Sequence, residues 1–466
     1  MYLVQAKIGT LTLRSCEVLA ITLDGTRIDG NFHAHSLVAA EEVRAIGIHV
    51  TGQLTLNDAN LKNLDGYALN LDGARIDDGL HAHNLRATGM TRAVGVHANQ
   101  ISLVGANLIS RNGDALNIDG ARINCGMFAD NLTAAGTVRA AGANITGLFS
   151  LVGANLIGRN GDALNIDGAR IDGDMIADNL SAAGTIRAVD AEITGRLSFN
   201  RSVLVGQKIP PLILEHARVG VIDLRPTNVV GTIDLTGVTI RMLILPEANS
   251  SWEYPNAETF AKPALVAAGW SVSDFQGAIR EDWTVARAYL EPACNGFIPA
   301  PWFEIADVYD RIGHPDQARR VRLYAERHVT ANSHGSTKAI RRVYAATVGY
   351  GYRPFLPVLW LLCILAVSGI MIWTNQTQFI PADRSVAATA HETCTDTSPY
   401  PCFNAIGYTL QNVVPAASGP QRPDWALSTT GPWAVAIGAV LASLRLLAWV
   451  FAALTLAAMT GLLRKR

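Results

Sequence analysis

ITLDGTRIDG at Ile21 returns as LNLDGARIDD at Leu69, LNIDGARINC at Leu116 and LNIDGARIDG at Leu164, at spacings of 48, 47 and 48 residues. DANL at Asp58 and GANL at Gly105 and Gly153 keep the same step. A unit copied at fixed period must stack on its neighbours to bury its apolar face. Within each unit, runs such as Leu69 to Ile76, Leu80 to Ala87, Thr91 to Ala98 and Ile101 to Leu108 alternate apolar and polar residues before a Gly or Asn. Alternation with marked corners is a strand signal, and it fits an α-solenoid poorly. The pattern predicts a β-solenoid, a right-handed parallel β-helix, over residues 1–245. With two coils of roughly 24 residues per unit and about 4.8 Å between strands, its ten or so coils form a rod roughly 50 Å long. The chain starts inside a unit, since LVQAKIGTLTL resembles the later IGIHVTGQLTL. The expectation is a shortened first unit or an end that meets a partner.

Composition matters mainly at the other end. The chain is 49% hydrophobic and 17% charged, and the excess gathers after residue 350. Two runs, about 355–373 and 441–463, are long and apolar enough for transmembrane helices. They give a third region, 346–466, with an outer loop at 374–431. Arg319, Arg320, Arg322, Arg327, Lys338, Arg341, Arg342 and Arg353 precede the first run against the single acid Glu326, and Arg464, Lys465 and Arg466 close the chain. Basic flanks stay cytoplasmic, so the expectation is a multi-pass cell-membrane protein with both termini inside. The lipid bilayer is then the first partner. A net charge of -1 removes the field of a nucleic-acid binder, so no nucleic acid is expected.

Residues 246–345 form the middle region, a helical linker and adaptor. Trp302, Ile305, Ala306 and Tyr309, then Gly313, Pro315, Ala318, Val321 and Ala325, follow the order of one tetratricopeptide motif, with Arg322 at an apolar position. One copy makes a cap rather than a superhelix.

Candidate sites are sparse. His33, His35, His81 and His83 stand 48 apart in pairs and are candidate metal ligands. Polar decoration competes with that reading, because the next units put Phe128, Asp130, Ile176 and Asp178 at the same places. His49 and His97 follow the same step. Asp24, Asp72, Asp119 and Asp167 precede corner glycines, and Arg27, Arg75, Arg122 and Arg170, three residues on, are expected to compensate them. Cys394 and Cys402 in the outer loop are a candidate disulfide. Phe403, Ile406, Leu410, Val413 and Val414 are spaced for a short pore-lining or surface helix. Arg445, the charge inside the second span, is placed about one turn from its outer end, within snorkelling reach. Thr347 to Gly351 spells TVGYG, a potassium-filter signature, but ahead of the first span, where coincidence or a helix end before Arg353-Pro354 accounts for it. No G-x-G-x-x-G after a strand, no C-x-x-C and no H-E-x-x-H occurs, so no catalytic or cofactor-binding residue is assigned, and an enzyme is not expected.

Together, the LNIDGARIDG/GANL units, WFEIADVYDRIGHPDQARRV, GYGYRP and FNAIGYTLQNVVP resemble a group of actinobacterial membrane proteins with pentapeptide-like repeats and a two-span C-terminus. That group is often labelled membrane-associated oxidoreductase, and its C-terminus is similar in layout to two-span ion channels. The resemblance implies either redox chemistry or a channel-like homo-oligomer. The residues themselves point to a membrane-anchored scaffold with a protein partner along the β-helix.

Overall fold

The structure, a computed structural model, describes residues 1–206, 209–246, 264–291, 297–383, 400–414, 424–429 and 431–460. It divides into two units, Met1–Val321 and Arg322–Arg466.

The first unit is built on a parallel β-solenoid of about 11 turns. Every strand pair within it is parallel. The column Arg27, His49, Arg75, His97, Arg122, Asn144, Arg170, Glu192 marks one residue per turn. Its steps alternate between 22 and 25 or 26 residues, so each repeat unit is one tight coil followed by one loose coil. The surplus lies in the 11-residue strands Asn60–Asn70, Asn107–Asn117 and Asn155–Asn165. Each pairs with a 7-residue strand, and register shifts absorb the extra residues.

Alternation sets the core, because successive strand side chains point to opposite faces. Ile28, Val50, Ile76, Ala98, Ile123, Ile145, Ile171 and Ile193 form one inward ladder, and Phe32, Leu54, Leu80, Ile101, Met127, Phe149, Met175 and Leu197 another. All of these are buried. One rung of each copy therefore meets the equivalent rung of the next.

The corner aspartates act between coils, which corrects the partner expected from sequence. Asp24, Asp72, Asp119 and Asp167 pair with Arg44, Arg92, Arg139 and Arg187 at 2.7, 2.5, 2.7 and 2.6 Å. Their second oxygens accept the N–H groups of Ile46, Val94, Ala141 and Val189 at 2.9, 2.8, 2.8 and 2.8 Å. Stacking brings a residue one coil away nearer than one three positions along a strand. Arg27 and Arg75 instead pair with Asp29 and Asp77, and Arg170 pairs with Glu192. The following glycines hold φ near +62 to +65, where a side chain would be strained. We expect Asp119→Ala to cost about 1–3 kcal/mol by orphaning the Ala141 N–H. Asp119→Asn, which keeps an acceptor oxygen, should cost less, because the partly exposed ion pair itself contributes little. Thermal unfolding of both variants checks the order.

The repeat region does not end at residue 245. Strands Ala264–Val266 and Ser271–Gln276 add a further turn, paired to Thr232–Asp234 and Thr239–Ile244. The apparent linker of the sequence, residues 247–263, lies outside the described residues. Among the described residues, three α-helices follow: α1 (Val285–Leu290), α2 (Ala300–Arg311) and α3 (Pro315–Asn332). Helix α2 closes the last coil. Trp302, Ile305, Ala306 and Tyr309 are buried. Glu304 accepts the Val272 N–H at 3.2 Å, and Arg311 donates to the Val272 carbonyl at 2.7 Å. Side chains thus satisfy an edge strand that would otherwise invite pairing.

The second unit holds the end of α3 and then α4 (Gly335–Val348), α5 (Phe355–Thr374), α6 (Ala405–Val413) and α7 (Pro432–Met459). TVGYG is a helix end here. Gly349 caps α4 in the left-handed conformation, and buried Tyr350 donates its hydroxyl to Thr330 Oγ1 at 2.8 Å. Arg341 donates to Glu326 and, at 3.2 Å, to Thr330 Oγ1.

Candidate functional site

Helices α5 and α7 have mean hydropathies of 2.6 and 2.1, and each is long and apolar enough to cross a membrane. They run antiparallel: Trp360 stacks on Phe451, Ile364 packs with Ala448, and Trp433 Nε1–H donates to Asn375 Oδ1 at 3.2 Å. The second run begins at Pro432, nine residues before the sequence reading placed it, because Trp433 to Val440 continue the apolar helix once proline opens it.

Helix α6 is wedged against this pair. Asn404 starts it, its Oδ1 accepting the N–H groups of Ile406 and Gly407 at 3.0 and 3.1 Å, a standard N-cap. Around the first turn of α6, Phe379, Phe403, Tyr408 and Trp425 form an aromatic cluster. There Phe379–Pro381 pairs antiparallel with Trp425–Leu427. Thr409 packs over Gly369 of α5. At the far end, buried Val413 meets Ile364, Ala448 and Phe451, with Leu361, Leu365, Leu444 and Leu454 around them. Ile364 is the tenth of 20 residues in α5. The tip of α6 therefore stops halfway along the helix pair. Beside it, Ser368 buries a hydroxyl with no hydrogen-bond partner among the described residues.

The expected stripe is divided. Phe403 precedes the cap, Val414 closes the helix, Val413 is buried, and Ile406 and Leu410 are exposed. Sequence spacing marked the helix, but its buried face runs through Thr409 and Val413. Arg445 is corrected too. It is the fourteenth of 28 residues in α7, about 20 Å from either end at 1.5 Å per residue. It is exposed. Cys402 is disulfide-bonded; Cys394 lies outside the described residues. Cys16, Cys125 and Cys363 are free.

Two of the four candidate histidines, His33 and His83, have hydrogen-bond partners on the solenoid face. His33 and His35 stack with centroids 6.0 Å apart, and His81 and His83 lie at 6.1 Å. Thr55 Oγ1 lies 3.2 Å from His33 Nδ1, and Ser102 Oγ lies 2.8 Å from His83 Nε2. The Thr55 coil separates His33 from His81. Among the described residues, no three His, Cys, Asp or Glu side chains converge as a metal site would require. Burial, then Arg14 and His35, pushes His33 below the usual imidazole range, and burial, then His83, does the same for His81. A lowered folded value means the native state holds fewer protons than the unfolded chain. Stability is therefore expected to fall as pH drops below about 6.5 toward the folded values. Melting temperatures between pH 7 and 5 check this, with His81→Asn flattening the slope.

Comparison with protein-family models, curated proteins and solved structures finds no match to this chain. The fold and site define a β-solenoid followed by helices, two of which are apolar and long enough to span a membrane.

Proposed function

We propose that this chain is a membrane-anchored scaffold whose β-solenoid presents a binding surface for a protein partner. One observation carries the reading: only 22% of each apolar window in α5 and α7 is buried. Phe355, Leu362, Ile370, Trp373, Leu446 and Leu456 all face outward. A core helix of a soluble protein would be covered, whereas surface of this kind calls for lipid. The Arg-rich approach to α5 supports cytoplasmic termini, with residues 374–431 outside, where a Cys394–Cys402 disulfide is at home. The motifs shared with the actinobacterial two-span group support the same layout.

The test is topological. The protein should float with vesicles and resist alkaline extraction. A cysteine at Ser428 should react with an impermeant maleimide on intact cells, and one at Ser36 only after permeabilisation. Extraction at high pH, or labelling of Ser36→Cys from outside, sinks the reading.

A second reading is a channel-like homo-oligomer. It is favoured by the halfway tip of α6 and by Arg445 at the centre of α7, where an outward guanidinium costs about 2.5–3.5 kcal/mol in lipid. Converging copies or a watered lumen would relieve that cost. Single-channel steps from purified protein would support it, and a monomer in detergent would end it. The redox label of the resembling group is a third reading, tested by flavin or nicotinamide absorbance.

A further inference from the structure

Helix α4 has two unlike sides. On one, Arg341 reaches Glu326 and Thr330, Tyr344 meets the ring of Tyr350, and Val348 is buried. That side is fixed to α3 and the turn. On the other side Ile340 and Val343 are 67% and 62% exposed, and Ala339, Ala346 and Thr347 complete a stripe at i, i+3, i+4 and i+7 spacing. Exposed Arg342 borders the stripe beyond Ala346. The stripe is also placed. Trp360 Nε1–H donates to the Ala346 carbonyl at 2.9 Å, which holds the end of α4 beside the second turn of α5.

We infer that α4 is an interfacial helix, laying Ile340 and Val343 into the surface of an anionic bilayer while Arg342 and Arg353 meet the headgroups. This rests on the membrane-anchored reading and adds a surface that reading does not need. The occupant follows from continuity and charge. The stripe adjoins the start of an apolar helix whose own exposed Phe355 and Leu359 require lipid. The polar residues at its border are cations, and Glu326, the acid nearest them in sequence, is already held by Arg341. An apolar face rimmed by arginine beside a span is the pattern of helices that lie in the headgroup layer.

The full chain, reconstituted in phosphatidylcholine vesicles with or without phosphatidylglycerol, provides the test. Single cysteines Ile340→Cys, Val343→Cys, Arg327→Cys and Leu362→Cys carry an environment-sensitive fluorophore. Lipid-borne nitroxide should quench the labels at 340 and 343 severalfold more than the label at 327, and iodide should quench them less. Phosphatidylglycerol should enlarge the difference, and Arg342→Glu should remove that enlargement. Iodide quenching at 340 and 343 would overturn the inference. Shielding from both quenchers would overturn it as well, by assigning the stripe to a protein, either a second copy or another partner. The label at Leu362 separates the two readings. If lipid quenches Leu362 while 340 and 343 remain open to iodide, the anchor stands and the interfacial helix falls. If Leu362 is also open to iodide, both fall.

Discussion

Phe149→Ala should lower the stability of the solenoid by about 3–5 kcal/mol. The ring is fully buried between Met127 and Met175 of the adjacent coils, so truncation leaves a cavity lined by two flexible thioethers that fill it only in part. In a stacked repeat each coil contacts only its neighbours, so the damage should be local. Hydrogen exchange should speed up in the coils around Met127, Phe149 and Met175 and change little near Ile28. Phe128 is the control. It is one residue along from Met127 on the outward column between Ser102 and Ser150 and only half-buried, so Phe128→Ala should cost clearly less. Equal losses for the two would contradict the inward and outward alternation on which the solenoid rests.

That alternation was legible because the repeat states it four times. Three of the four copies of LNIDGARI carry Leu, Ile or Ala at the positions that turn inward and Asn, Asp or Arg at those that do not, and the first puts Thr26 and Thr22 in two of these places. The partner of each corner aspartate was not legible. Asp119 and Arg139 lie 20 residues apart, and their meeting depends on a 22-residue coil length that a two-coil period conceals. The turn after residue 245 was hidden for a related reason. A long insertion parts its strands from the rest, and ALVAAGWSVSDF lacks the Asp-Gly corner that marks the others.

In the C-terminal unit the sequence announced two apolar helices and a short amphipathic one, but not the depth at which anything sits. Arg445 is the only charge in its run, and counting from Leu441 puts it about one turn inside the span. Pro432, a better start signal, lay nine residues beyond the window, and with it Arg445 moves to the middle. The two sides of α6 were likewise ambiguous, since Ile406, Leu410 and Val413 are equally apolar and only packing against Gly369 and Ile364 decides which is covered. The polar groups that join α4 to α3, Glu326, Thr330, Arg341 and Tyr350, carry no local pattern and emerge only once the helices are folded together.

The wedge of α6 gives the other large effect. Val413→Asp would set a carboxylate among the apolar side chains of Ile364, Ala448 and Phe451. A buried charge left without a partner costs about 3–5 kcal/mol. Val413 ties the tip of α6 to both helices, so α6 should leave the helix pair while α5 and α7 stay associated through Trp360 and Phe451. A cysteine at Thr409, buried in the intact protein, reports this in a background where every cysteine but Cys394 and Cys402 is replaced by serine. Its alkylation should accelerate by roughly 100-fold with Val413→Asp, the ratio that about 3 kcal/mol provides. Ile406→Asp should leave that rate nearly unchanged, because Ile406 faces outward. In a channel-like assembly, Ile406→Asp should instead shift the detergent-solubilised protein toward monomer. An unchanged alkylation rate in Val413→Asp would mean that α6 is held elsewhere, and its tip would lose its claim to a place halfway along the pair.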